Sequence, residues 1–107
     1  MKASSHFDAV AEKLVGQGAS KSQMFGCPCL KAGSKAFVCL YKDDLVVKLP
    51  KTEAAIALRM DGVSVFDPRG GRPMNGWYQV PIQHADQWLG LAEAGMVFVA
   101  DLAKHGK

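Results

Sequence analysis

The sequence predicts a small α+β domain, an antiparallel sheet packed by helices, with elements in the order α-β-β-β-α-β-β-α. Three observations lead there. Apolar residues near both ends of the chain recur at helical spacing. Between them lie short β-type segments separated by turn residues. The 107 residues amount to one domain, 1–107, with no room for a second core.

The first helix rests on Phe7, Val10, Ala11 and Leu14, an i, i+3, i+4, i+7 pattern. Ser4 or Ser5 is expected to cap it, because a serine oxygen accepts the free amide hydrogens of a first turn. Gly16 and Gly18 supply the stop. Met24 to Leu30 reads as a strand. Pro28 cannot donate a ladder hydrogen bond, so this strand is assigned to an edge or a bulge. After the turn Lys31-Ala32-Gly33-Ser34-Lys35, Ala36 to Tyr41 reads as a second strand, with Phe37, Cys39 and Tyr41 on one face. Lys42-Asp43-Asp44 is a tight polar turn. Leu45 to Leu49 is a third strand, with Leu45, Val47 and Leu49 on one face. Short turns make these three an antiparallel meander. Val38, Leu40 and Val46 are apolar on the opposite face, so a cover on both faces is expected.

Pro50 ends the meander. Lys51 to Met60 is alanine-rich and helical, and Gly62 ends it. Val63 to Phe66 is a short strand, 67–76 a loop rich in glycine and proline, and Trp77 to Val80 a strand stopped by Pro81. The last helix, at about 84–103, carries the clearest period: Ala85, Trp88, Leu89, Ala92, Met96, Val99 and Leu102. Met96-Val97-Phe98-Val99 has a strand-like composition, but the surrounding period assigns it to the helix.

Apolar residues make up 49% of the chain and charged residues 21%, which argues against intrinsic disorder. The net charge is +3 and its lysines and arginines are dispersed. Nucleic-acid binders concentrate such charge on one stripe, so only weak nucleic-acid binding is expected. The longest apolar run, Met96 to Ala100, is too short to span a bilayer. No apolar leader stands before the first helix, and the three cysteines make an odd count unsuited to a disulfide framework. A cytoplasmic location is expected.

Each candidate motif has a structural reading beside the chemical one. Cys27-Pro28-Cys29 has one residue between its thiols rather than two, and the other soft ligands are Cys39, His6, His84 and His105. No metal and no cofactor are expected, and the cysteines read as small buried hydrophobes. Gly70-Gly71-Arg72-Pro73-Met74 is followed by a strand and has no Lys-Ser/Thr pair, so it is not a phosphate loop. Arg72, stiffened by Pro73, suits either backbone carbonyls or a carboxylate of a partner; the structural role is favoured. Asp43-Asp44 falls in a hairpin turn, where aspartate serves turn geometry. Trp77, Tyr78 and Trp88 read as core and sheet residues rather than a stacking platform. No catalytic residue is assigned, and no elbow of the G-x-S-x-G type occurs.

Taken together, Met24-Phe25-Gly26, Lys35 through Leu40, Asp44 through Pro50, Gly71 through Met74 and Trp77 through Pro81 resemble the TfoX/Sxy N-terminal domain family over nearly the whole chain. The resemblance implies an α+β domain of the secretion chaperone-like type. It also implies a bacterial regulator: the best known members are regulators of natural competence that act with a transcription activator. Those regulators carry a second, helical C-terminal domain. A chain ending at Lys107 is expected to be a stand-alone member without it. The family supplies no agreed catalytic residues.

Three functional readings follow. The first is a non-catalytic regulatory or protein-interaction module, contacting a protein partner or a second copy of itself as a homodimer. The second is a small-ligand binder or enzyme with a pocket near Lys48, Arg72 and Trp77. The third is a weak nucleic-acid binder.

Overall fold

A computed structural model describes residues 2–24, 26–67, 70–71 and 73–105 of the chain. Helix α1 (Ala3–Val15) is followed by four strands, β1 (Ser20–Met24), β2 (Cys27–Ala32), β3 (Lys35–Tyr41) and β4 (Asp44–Lys48). Helix α2 (Lys51–Ala57), strands β5 (Ser64–Val65) and β6 (Trp77–Val80), a 3-10 turn at Ile82–His84 and helix α3 (Ala85–His105) complete it. The strands form one sheet in the order β1-β2-β3-β4-β6-β5, with every neighbouring pair antiparallel. This is the mixed α+β class and the helix-on-sheet arrangement that the pattern predicts. The order differs by one strand.

That strand comes from the segment expected as a single strand at 24–30. The chain instead turns near Gly26, and β1 and β2 pair as a hairpin from Met24↔Cys27 out to Ser20↔Lys31. Pro28 lies in β2 opposite Gln23, one strand in from the edge. A second correction concerns α1. Its N-cap is Lys2 with no side-chain cap bond, and Ser4 and Ser5 lie inside the helix. The stop is as expected. The amide of Ala19 donates to the carbonyl of Leu14 at 3.0 Å and that of Gly18 to Val15 at 3.1 Å. Those two bonds make a Schellman end, and Gly18 takes the left-handed φ of 112° that this motif requires.

The sheet carries its main core on the helix side. Leu30, Val38, Leu45, Val47 and Val80 pack there against Phe7, Val10 and Leu14 of α1 and Trp88, Ala92 and Val99 of α3. Phe37 belongs to this core together with its neighbour Val38. Strict alternation places it with Cys39 and Tyr41. The cause is a bulge: Leu30 pairs Val38 but Lys31 pairs Ala36, so Phe37 is the extra residue. The opposite face holds a smaller cluster of Cys29, Cys39, Val46, Phe66 and Trp77, with Ala36, Tyr41 and Met74 packed against it. Both faces are therefore covered, as expected from the apolar residues on each. Cys39 and Val46 share the second face, and Val38 and Leu40 belong with Leu45 and Val47 on the first.

The β3–β4 hairpin turns on Lys42 and Asp43, both with positive φ (48° and 67°), the signature of a type I′ turn. Residues 96–100 are helical, within α3. This helix crosses β3 and β4 at Gly95, where a Cβ would lie 2.7 Å from the carbonyl oxygen of Lys48 and 2.9 Å from Cγ2 of Val47.

Candidate functional site

Two of the three residues singled out in the sequence come together. Lys48 and Trp77 are Cα partners on adjacent strands β4 and β6. The Lys48 ammonium stands 5.8 Å from the centre of the Trp77 ring, within cation–π reach. Trp77 is 8% exposed and anchors the second core cluster, so it acts first as a packing residue. Arg72 lies outside the described residues.

The loop between β5 and β6 closes over this cluster by backbone bonds. The amide of Phe66 donates to the carbonyl of Trp77 at 2.8 Å, Met74 donates to Phe66 at 2.8 Å, and Trp77 donates to Met74 at 3.0 Å. The Asp67 carboxylate accepts from the amide of Gly71 at 2.8 Å. These bonds place Phe66 and Met74 over the second face. Phe66 meets Tyr41 edge-to-face with centroids 5.0 Å apart.

Lys48 borders two open clefts. One, of about 510 Å³, sets Lys48, Lys51 and Asn75 beside Tyr78, Val65 and Phe98. The other, of about 300 Å³, sets Lys35 and Lys48 beside Trp77, Val99 and Leu102. A third cleft, of about 420 Å³, runs between α2 and α3. It is lined by Pro50, Ala94, Val97 and Phe98 together with Glu53, Glu93 and Asp101. Phe98 separates this acidic-rimmed cleft from the lysine-bordered one. Val97 is 63% exposed, as is Ile56 of α2.

The remaining candidates are held in structural contacts. Cys29 and Cys39 are buried Cα partners across β2 and β3, and all three cysteines are thiols. Burial pushes the Cys39 thiol up to about 12, with the neighbouring Cys27 and Cys29 adding to the effect. Burial also raises that of Cys29, partly opposed by the charge of Lys31 and a hydrogen bond from Ser22. Such thiols hold their protons at neutral pH and are poor nucleophiles. Among the described residues, no group of three His, Cys, Asp or Glu side chains is placed to hold a metal ion. Asp43 forms the hairpin turn, and Asp44 accepts from the Gln79 amide at 2.7 Å. His84 Nε2 sits 2.7 Å from the carbonyl oxygen of Asp61, tying the start of α3 to the turn after α2. His6 packs edge-on against Trp88, centroids 6.1 Å apart.

No protein-family model, curated protein or solved structure matches the chain. Among the described residues, no helix is long and apolar enough to cross a membrane.

The cleft between α2 and α3 was not singled out from the sequence. Its signal was present in part. Val97 and Phe98 are large apolar residues that fall outside the stripe of Trp88, Ala92 and Val99, so on a helix packed by one side they must face elsewhere.

Proposed function

We propose that the chain is a non-catalytic, regulatory protein-interaction module of the bacterial cytoplasm, akin in role to the N-terminal domain of the competence regulators it resembles. The observation that carries this reading is the outward side of α3. Val97, at 63% exposure, stands there with the half-buried Phe98, and both line the cleft between α2 and α3. An exposed apolar patch rimmed by charge is the usual mark of a protein contact. A photo-crosslinking amino acid at position 97, compared with one at position 42 on the β3–β4 hairpin, tests it in cells. A discrete crosslinked species from position 97 that position 42 does not give is expected. Equal or absent crosslinking from the two positions overturns it.

A second reading rests on Lys48. Two lysines, Lys48 and Lys51, border a cleft floored by Phe98 and Tyr78, which suits a small anionic ligand with an apolar body. Lys48→Ala abolishing saturable binding of such a compound, with the fold intact, distinguishes this from the first reading. Nucleic acid is the third and least supported. Its binding at physiological salt is proposed to be weak and to vanish as salt is added.

A further inference from the structure

The cleft between α2 and α3 joins two features that define what it accepts. Its lining joins four apolar residues, Pro50, Ala94, Val97 and Phe98, with three acidic ones, Glu53, Glu93 and Asp101, and Val97 stands on α3 midway in sequence between Glu93 and Asp101. The chain as a whole is basic, with net charge +3, so this acidic rim runs against the overall balance. Two of these three carboxylates accept hydrogen bonds from described residues. Glu93 accepts a long bond of 3.4 Å from the Gln17 side-chain amide, and Glu53 accepts from the Thr52 hydroxyl at 2.7 Å. Both donors are neutral.

Resting on the reading of the chain as an interaction module, we propose that this cleft docks a basic amphipathic helix of a partner protein. Its apolar stripe would lie on Val97 and Phe98, and its lysines or arginines would meet the carboxylates. Helix-in-groove recognition uses an apolar face read at i, i+3, i+4 and i+7. Glu93 and Asp101 stand about 12 Å apart along α3 at 1.5 Å per residue. That span is a little over two helical turns. A docked helix with basic residues two turns apart on its shoulders reaches both carboxylates while its stripe covers Val97 and Phe98 between them.

The same geometry disfavours a second copy of the chain. A two-fold axis through Val97 would bring α3 of two copies together antiparallel. Glu93 of one copy would then oppose Asp101 of the other, and the reverse pair would repeat it. Like charges set opposite one another at an interface repel and suppress that pairing. A basic partner removes this repulsion.

The test uses the full chain, isotopically labelled, and two synthetic helical peptides with the same leucine stripe. One carries lysines on its shoulders and the other glutamates at the same positions. Amide shifts at Ala94, Val97 and Phe98 are expected with the lysine peptide and not with the glutamate peptide. The double variant Glu93→Lys, Asp101→Lys is expected to weaken the lysine peptide at least tenfold. Glu93→Gln with Asp101→Asn, which removes charge without reversing it, is expected to give an intermediate loss. Both pairs sit on the rim, and thermal melts establish that the variants fold. Equal response to the two peptides, no response, or the same affinity in the charge-reversed variant overturns the proposal. Concentration-dependent shifts at Val97 without peptide would also overturn it, in favour of self-association. If crosslinks from position 97 persist while the lysine peptide fails, the cleft still binds a protein, but one of other chemistry.

Discussion

Gly95 is the position where the packing of α3 is most open to measurement. Glycine inside a helix costs about 1 kcal/mol relative to alanine, so on local grounds Gly95→Ala should stabilise. The structure predicts the opposite. The new Cβ would stand 2.7 Å from the carbonyl oxygen of Lys48, 2.9 Å from Cγ2 of Val47 and 3.3 Å from the carbonyl oxygen of Phe37. Two of those three atoms are backbone in central strands of the sheet, and neither can swing aside. Ordinary contact near 3.4 Å requires α3 to lift from β4 by about 0.7 Å. That shift loosens Trp88, Ala92 and Val99, all buried on the same side of the helix. Overpacking a core costs about 1–3 kcal/mol, and immovable backbone sets the upper end. Against the helix gain of about 1 kcal/mol, the net loss is about 2 kcal/mol, a fall in melting temperature on the order of 10 °C.

Gly90 provides the control. It lies in the same helix, exposed, with nothing within 4 Å of where a Cβ would stand. Gly90→Ala should therefore deliver the local gain alone, about 1 kcal/mol and about 5 °C. Thermal unfolding followed by circular dichroism reads both. If Gly95→Ala melts at or above wild type, α3 does not press on β4 at this point and the packing argument fails.

Three further outcomes are expected. Phe66→Ala removes the fully buried ring that the β5–β6 loop lays on the second face, so urea unfolding should show a loss of about 3–5 kcal/mol. Cys39 stays protonated in the native state up to about 12, against 9.0 for an ordinary thiol. The unfolded chain therefore gives up this proton first, and stability should fall between pH 9 and 12 by at most about 1.4 kcal/mol per pH unit more than in Cys39→Ala, as read by urea melts at stepped pH. Lys48→Ala removes one cation–π contact, and a loss of about 0.5–1 kcal/mol is expected; a loss above 2 kcal/mol would assign Lys48 a structural role beyond Trp77.

Much of this architecture was legible in the sequence because its signals were local. The stripe of Trp88, Ala92 and Val99 fixed the longest helix, and it outweighed the strand-like composition of residues 96–99 because helical periodicity persists over five turns. The polar turn at Lys42 and Asp43 fixed a hairpin. What escaped notice depends on partners. The segment that forms β1, Ser-Lys-Ser-Gln-Met, has no apolar alternation, because the strand lies at the sheet edge with Ser20, Lys21 and Gln23 exposed. Only its pairing with β2 makes it a strand. Phe37 faces the helices because β2 and β3 slip register at Leu30, which no pattern within β3 records. The serines near the N-terminus have the right chemistry for a cap, but α1 begins before them.

The acidic-rimmed cleft was hidden for the same reason, and its position follows from the core. Glu53 and Pro50 belong to the α2 side of the cleft, immediately after β4, whereas Glu93, Val97 and Asp101 ride on α3. The distance between the two sides therefore follows how closely α3 sits on β4, and glycine at 95 permits that approach, because a Cβ there would stand 2.7 Å from the Lys48 carbonyl oxygen. Lys48 lies two residues before Pro50, so the backbone that receives the helix also carries one wall of the cleft. The residue with no side chain faces inward, and two residues on, Val97 faces outward about 200° away around the helix. A shift of α3 by about 0.7 Å in Gly95→Ala would thus do more than lower stability: it would displace Glu93 and Asp101 relative to Glu53. A basic helix bridging both sides would lose register with one of them. Weakened lysine-peptide binding in Gly95→Ala, at a temperature where the variant is fully folded, would tie the inward packing of α3 to its outward surface.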